Sequence, residues 1–441
     1  MTTSIDQAGS YPPNQRMLTA QPASSRSMII IVVGLSLLGL GLMIFISLHT
    51  SQPVTTISIR PARTGETEYC LNCHTGIEAI SASHSIEEFG CVSCHGGDRS
   101  ALEEDAAHTG LVRNPSAPET VEQYCGECHA GQIATVQRSI MTTYAGAIGL
   151  IRRTFGLQPD SVAQYAVQAV GHLQAFTPTA SDPSSVQTFA DNCLFCHVNG
   201  EGLPADSFYR STGCATCHVL FADDGLYVGT DPTISRTEPG HAQTHQFTTA
   251  IPYTQCNHCH NRGNYDLRTM TFVPRDDVPV DLPSEREQRA HDYYQPISQF
   301  TLCEWELDCI DCHTSQEVMG AGLLYNDSAE AQYTQCQTCH GTPDSPPLET
   351  VVMSPDELAM TWADLNPHVD LSVGDTVMLT ERGEPLYNIR RIADEWVLTG
   401  KATGETYTVP LVQGSTCQQD PTQQVSSACH ECHTYDRETT P

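Results

Sequence analysis

Basic residues are scarce in this chain: 21 Lys and Arg stand against 52 Asp and Glu, a formal net charge of −31 at pH 7. That balance argues against nucleic acid as a partner, because phosphate backbones are held through basic patches. A basic protein partner or a metal cation fits an acidic field better, and a solubilising or salt-adapted surface accounts for the same charge with no partner at all. Aromatic residues make up only 7% of 441 residues. A chain this lean in apolar bulk cannot build thick layers of protein core. Also missing are a dinucleotide-binding glycine fingerprint, a Walker loop and a Ser-His-Asp word, so nucleotide chemistry and hydroxyl-nucleophile catalysis have no motif here.

Long apolar runs are absent with one exception. Residues 28–48, MIIIVVGLSLLGLGLMIFISL, carry no charge over 21 positions, and a helix of that length spans a bilayer core of roughly 30 Å. Arg16 and Arg26 precede it, and apart from His49 no basic residue follows until Arg60. The positive-inside rule then places residues 1–27 in the cytoplasm as a polar tail and everything after the helix outside. A cleaved signal peptide is the competing reading; its apolar run would be long, and no small-x-small alanine site follows. Residues 49–67, rich in Ser, Thr and Pro, read as a stalk.

What the chain does have is Cys-x-x-Cys-His, written nine times and using 18 of 20 cysteines. In chain order, sites 1 to 9 are Cys70, Cys73 and His74; Cys91, Cys94 and His95; Cys125, Cys128 and His129; Cys193, Cys196 and His197; Cys214, Cys217 and His218; Cys256, Cys259 and His260; Cys309, Cys312 and His313; Cys336, Cys339 and His340; Cys429, Cys432 and His433. Two thiols at this spacing add to the two vinyl groups of one haem, and the following His reaches its iron. Structural zinc also uses Cys-x-x-Cys pairs but has no need of a His after each one. The expected cofactor set is therefore nine covalently bound haem c. From His49 onward there are about 44 residues per motif, so the haems must supply much of the buried apolar surface and lie close together.

The motifs fall into three sets, each a close pair followed by a more distant single. The pair spacings are 21, 21 and 27 residues, and the sets begin 123 and 116 residues apart. Gly90-Cys91 matches Gly213-Cys214, and Cys70-Leu71 matches Cys193-Leu194. This gives three trihaem modules: residues 68–178 with a helical linker, 179–290, and 291–441. Gln132 to Phe155 and Ser161 to Phe176 have helical spacing, and Asp266 to Arg289 reads as a surface connector. Residues 369–412 alternate and are rich in β-branched residues. They read as a four- or five-stranded β insertion inside module three, able either to cover a haem edge or to dock a partner.

Besides the nine motif-ending His, nine others lie after the stalk's first residue: His84, His108, His172, His241, His245, His258, His291, His368 and His430. With His49 they number ten, enough for a second imidazole at every iron. His258 and His430 sit inside motifs 6 and 9 and can face only a neighbouring haem. Met141 and Met319 are thioether alternatives, although packing explains them as well. Cys303 and Cys417 are left over; in an oxidising compartment they fit a disulfide, and a sulfur-handling site near a haem is the other reading.

On these motifs the chain resembles multihaem c-type cytochromes of the membrane-anchored, bis-His electron-transfer type, from Ser51 to its end, and it distantly resembles the hydroxylamine oxidoreductase and octahaem cytochrome group. The resemblance implies a fold of mainly irregular chain with short α-helices wrapped around stacked haems, one N-terminal transmembrane helix and a small all-β insertion. It implies electron transfer from a membrane-side donor to a periplasmic or extracellular acceptor, with redox proteins as partners and a homo- or hetero-oligomer as a possible state. Extracellular cytochrome filaments are a related form. The alternative is a reductase or oxidase acting on nitrite, hydroxylamine or a sulfur oxyanion at one open haem. The pentahaem nitrite reductases mark that haem with Lys in place of the motif His, and no motif here departs from His.

Overall fold

The computed structural model describes the backbone of residues 25–50, 56–201, 209–260, 264–266, 271–273 and 306–417, with residues 426, 429 and 433; side chains are described for these except 25–28, 45–50 and 264–273. The chain divides into two units, Met1–Thr56 and Ile57–Pro441. The first is a single helix, α1 (Ser25–Thr50). Its described side chains, residues 29–44, are solvent-facing aliphatics such as Ile30 and Leu38 at 71% and 72% exposure. Among the described residues no helix is long and apolar enough to cross a membrane. The run 28–48 extends past residues 29–44 at both ends, so the expected anchor reaches outside the described side chains.

The second unit is built from short pieces. From Ile57 to Ser116, the stretch that carries sites 1 and 2, Pro61 is the one buried apolar side chain among the described residues; a buried apolar cluster begins only with Ala117 and Val121. The linker after site 3 forms α2 (Gly126–Val136), α3 (Ile140–Thr143) and α4 (Ala145–Thr154). Helix α3 starts on the Ser139 hydroxyl, which accepts from Thr142 N–H, and α3 and α4 are separated at Tyr144, whose φ of 56° is left-handed. So the expected helix over Gln132–Phe155 is present in three segments.

The expected helix over Ser161–Phe176 is not formed. That stretch contains β1 (Tyr165–Ala166) pairing in parallel with β2 (Gln174–Ala175) around a turn at Gly171, φ 57°. Its apolar residues are buried in two directions, Ala166 and Leu173 against Ala145, and Phe176 against Ile148 and Ile151 of α4. Tertiary burial on both sides outweighs a helical spacing of only moderate strength. Helix α5 (Ser184–Cys193) adds Val186 and Phe189 to the same core and delivers the chain to site 4.

Of the connector 266–289 only a backbone pairing at its start is described, β3 (Asn264–Asp266) with β4 (Thr271–Val273). The β insertion is a five-stranded antiparallel sheet of simple order, β5 (Leu348–Val351), β6 (Thr376–Leu379), β7 (Pro385–Ile392), β8 (Glu395–Thr399) and β9 (Thr406–Thr408). It starts earlier than residue 369. The first strand and helix α6 (Leu358–Leu365) precede the alternating stretch, and Leu348–Val351 is a mostly exposed edge strand without a clean alternation to signal it. Successive residues of β6 point to opposite faces. Val377 packs under Ala359 and Ala363 of α6, while Met378, Leu386, Ile389, Trp396 and Leu398 form the other face, against Leu307 and Cys339. That second face rests on the segments of sites 7 and 8.

Candidate haem-attachment sites

The motifs of sites 1 to 3 and 5 to 8 each wind one helical turn, which brings residues i, i+3 and i+4 to one side. The His N–H returns to the first Cys carbonyl at His74 (3.1 Å), His95 (2.9 Å), His129 (2.9 Å), His218 (3.1 Å), His260 (2.9 Å) and His313 (2.8 Å). Site 8 lies in a continuous turn, Cys336–His340. The second sites of modules one and two are built alike. Gly90 and Gly213, immediately before Cys91 and Cys214, both have positive φ (68° and 66°). A Cβ on Gly90 would fall 2.3 Å from Pro61, and one on Gly213 would fall 1.8 Å from the Ser116 carbonyl oxygen. The turn that follows is capped from afar in each case: the buried Glu68 carboxylate accepts from Cys91 N–H (2.7 Å), and the Ser116 hydroxyl accepts from Ala215 N–H (3.0 Å). The matched Gly-Cys words thus mark matched backbone constraints.

The motif imidazoles are held by their Nδ1 atoms. His95 donates to Val112 O (2.8 Å), His218 to Thr248 O (2.8 Å) and His340 to Pro410 O (2.7 Å). His74 donates to Asp231 Oδ2 (2.7 Å), a carboxylate with no solvent exposure, and His313 pairs with Glu317 at 3.4 Å. A carbonyl acceptor requires the proton on Nδ1 and leaves the Nε2 lone pair free, which is how metal-ligating histidines are oriented. Burial also pushes the imidazoles of His84, His95, His197, His218 and His260 below their usual range, His197 to about 4. They are therefore neutral at pH 7, the form that binds a metal.

Three motif imidazoles face a second imidazole. Ring centroids are 6.1 Å apart for His74 and His108, 6.0 Å for His129 and His84, and 5.8 Å for His95 and His245. An imidazole nitrogen lies about 2.0–2.1 Å from a transition metal, with the ring centre roughly 1 Å behind it, so two rings trans on one ion have centres about 6 Å apart. The pairing is crosswise. His108 faces the motif His of site 1 and His84 that of site 3, while His245, from module two, faces that of site 2. The modules are therefore not self-contained. His245 is fixed by Glu78, whose carboxylate accepts from Thr230 N–H (2.6 Å), His245 N–H (3.2 Å) and the Tyr227 hydroxyl (2.9 Å), and whose carbonyl accepts from His245 Nδ1 (3.0 Å).

The other expected ligands are less decided. His172 and His368 are exposed and His241 is half-buried. His258 is buried, with Nε2 3.8 Å from Asp223. His291, His430, Cys432 and Cys303 lie outside the described residues, as does the side chain of His49; the expected Cys303–Cys417 bond therefore falls there too.

Neighbouring sites touch. The Cys70 and Cys91 sulfurs lie within 4.8 Å of each other, and Cys196 neighbours Cys259 as Cys256 neighbours Cys309. Cys125 lies within electrostatic reach of Cys94 and Cys214, and Cys217 of Cys259. Buried Lys401, from the β sheet, stands near both Cys312 and Cys339, donating from Nζ to Ile310 O (2.7 Å) while its N–H meets Asp311 (2.7 Å). Cys336 N–H donates to Ser426 Oγ (3.1 Å), three residues before Cys429. Sites 1, 2, 3, 5, 6 and 7 thus adjoin in that order, site 8 adjoins site 7 at Lys401, and site 4 adjoins both site 6 at Cys259 and site 5, where Val198 O accepts from Gly213 N–H (2.9 Å) and from the Thr216 hydroxyl (2.9 Å).

Several features fit a haem. The first two motifs have no apolar core of their own, and two buried donors beside site 4, His197 Nδ1 and Arg210 Nε, have no partner. A guanidinium with a spare donor suits the propionate of a haem held at Cys193 and Cys196. Sequence reasoning missed Asp231, Glu78, Lys401, Arg210 and Tyr144. Asp231, Lys401 and Tyr144 are remote in sequence from the motifs they meet, Glu78 and Arg210 are not, and none has a local signature. No protein-family model, no curated protein and no solved structure matches this chain.

Proposed function

We propose that the chain is a nonahaem c-type cytochrome that carries electrons along closely spaced bis-His haems. It would be anchored by residues 28–48 in the cytoplasmic membrane, with its haem region on the periplasmic or extracytoplasmic side, and would pass electrons from a membrane-side donor to an outer acceptor. The observation that carries this reading is the set of imidazole pairs, His74 with His108, His129 with His84 and His95 with His245, each at the separation of two rings on one metal. When bound, a haem ligated on both faces takes up and releases single electrons without opening a place for substrate.

The chain's own residues orient and insulate. Val112, Thr248 and Pro410 carbonyls lock motif imidazoles in one tautomer, and the Asp231 carboxylate adds negative charge beside His74. That charge favours the oxidised, more positive state of its site. The β sheet supports the coverage reading of the insertion: it places Pro410, Lys401 and an apolar face against sites 7 and 8. The test is haem quantification with low-temperature electron paramagnetic resonance on the oxidised protein. Nine haems per chain with low-spin signals at sites 1 to 3 are expected. A protein carrying zinc in place of haem would end this reading.

A further inference from the structure

Site 4 differs from the other described motifs in three respects. Helix α5 ends at Cys193, and although Cys196 N–H returns to Cys193 O (3.0 Å), His197 makes no such bond. The His197 Nδ1 is buried without a partner, whereas at sites 1, 2, 5 and 8 it is held by an oxygen. The ring that faces His197 is a phenol, Tyr144, with centroids 6.4 Å apart and planes at 41°.

Tyr144 is held there at a cost. It has a left-handed backbone, φ 56°, one of two non-glycine residues with positive φ among the described residues; the other, Ala393, occupies the β7–β8 turn. A bulky residue in that region loses on the order of 1 kcal/mol or more, and such outliers collect at functional sites. Its ring stacks on Phe189 (6.1 Å, 12°), and the preceding turn is tied to the motif by Val198 N–H donating to Met141 O (3.0 Å). The hydroxyl makes no hydrogen bond among the described residues.

Resting on the reading that the motifs carry haem, the geometry points to site 4 as a binding position for a small exogenous ligand. Tyr144 stands where the other paired sites have histidine, and its hydroxyl is the donor for a diatomic or similarly small ligand with a nitrogen or oxygen lone pair. A phenol at this place blocks neither face with an imidazole and supplies one hydrogen bond.

The test uses the full-length haem-loaded protein, with haem counted in every sample. Carbon monoxide added to the reduced protein should bind about one haem in nine, and the oxidised protein should show high-spin signal of the same share. Tyr144→His, which places an imidazole there, should abolish both at an unchanged haem count. Tyr144→Phe, which keeps the aromatic stack, should retain carbon monoxide binding and weaken cyanide binding by the oxidised protein about tenfold, the worth of one hydrogen bond to a charged group. Nine haems with no carbon monoxide binding and no high-spin signal would overturn the inference while leaving the electron-transfer reading intact. Carbon monoxide binding that persists in Tyr144→His, or cyanide affinity unchanged in Tyr144→Phe, would place the open position elsewhere and overturn it as well. A haem count near zero in the parent protein would instead overturn the reading beneath it.

Discussion

Glu78→Gln tests the clamp that brings module two's His245 to module one's His95. Burial alone would raise the Glu78 carboxyl, but the N–H groups of Thr230 and His245 and the Tyr227 hydroxyl outweigh it and bring it from an ordinary 4.5 down to about 2. A carboxyl whose folded value is depressed contributes stability that is fully present above about 4.5 and is lost as the pH falls toward 2. The full shift corresponds to about 3 kcal/mol, and because the group is only partly buried, solvent screening reduces this to about 1–2 kcal/mol. Urea unfolding of the haem-loaded variant should show that loss at pH 7. At pH 3 the difference from the parent should shrink to less than half, since the parent's carboxylate is then losing its advantage. Electron paramagnetic resonance should also show a changed low-spin signal at one site, because His245 is no longer held. An equal loss at pH 7 and pH 3 would refute the charge argument, and no loss at either would refute the clamp.

Three further outcomes are expected. Asp231→Asn removes a buried charge next to His74, and a potentiometric titration should show one haem shifted upward on the order of tens of millivolts, the oxidised state having lost its counter-charge. Ile389→Ala, at a fully buried position in the sheet, should cost about 2–5 kcal/mol in unfolding and perturb the spectra of sites 7 and 8, which that face covers, while leaving sites 1 to 3 unchanged. The rate of electron exchange with a basic redox protein should fall steeply as salt rises, because a chain of net charge −31 steers such a partner through a field that salt screens.

Much of the architecture was legible in one dimension, and the failures have identifiable causes. The sheet over residues 376–408 was signalled by alternation between turn residues, while its exposed first strand at 348–351 carried no such pattern. The helix expected over 161–176 gave way to two short strands because Ala166, Leu173 and Phe176 are drawn to different neighbours. The surplus of histidines announced a second ligand set, but spacing along the chain did not assign it: His108 lies nearer in sequence to site 3 and faces site 1, and His84 lies nearer to sites 1 and 2 and faces site 3.

By itself the sequence determined nine Cys-x-x-Cys-His motifs, their grouping in threes, the glycines before Cys91 and Cys214, an acidic net charge and one long apolar run. These are local properties, fixed by residues at most a few positions apart, so they can be read in order along the chain. Only the tertiary structure decided which imidazoles face each other, that Asp231 reaches back to His74, that Lys401 lies between sites 7 and 8, and that a tyrosine stands opposite His197. Such contacts join residues tens to more than a hundred positions apart. No periodicity encodes them, because they follow from how the packed segments are closed over one another in space.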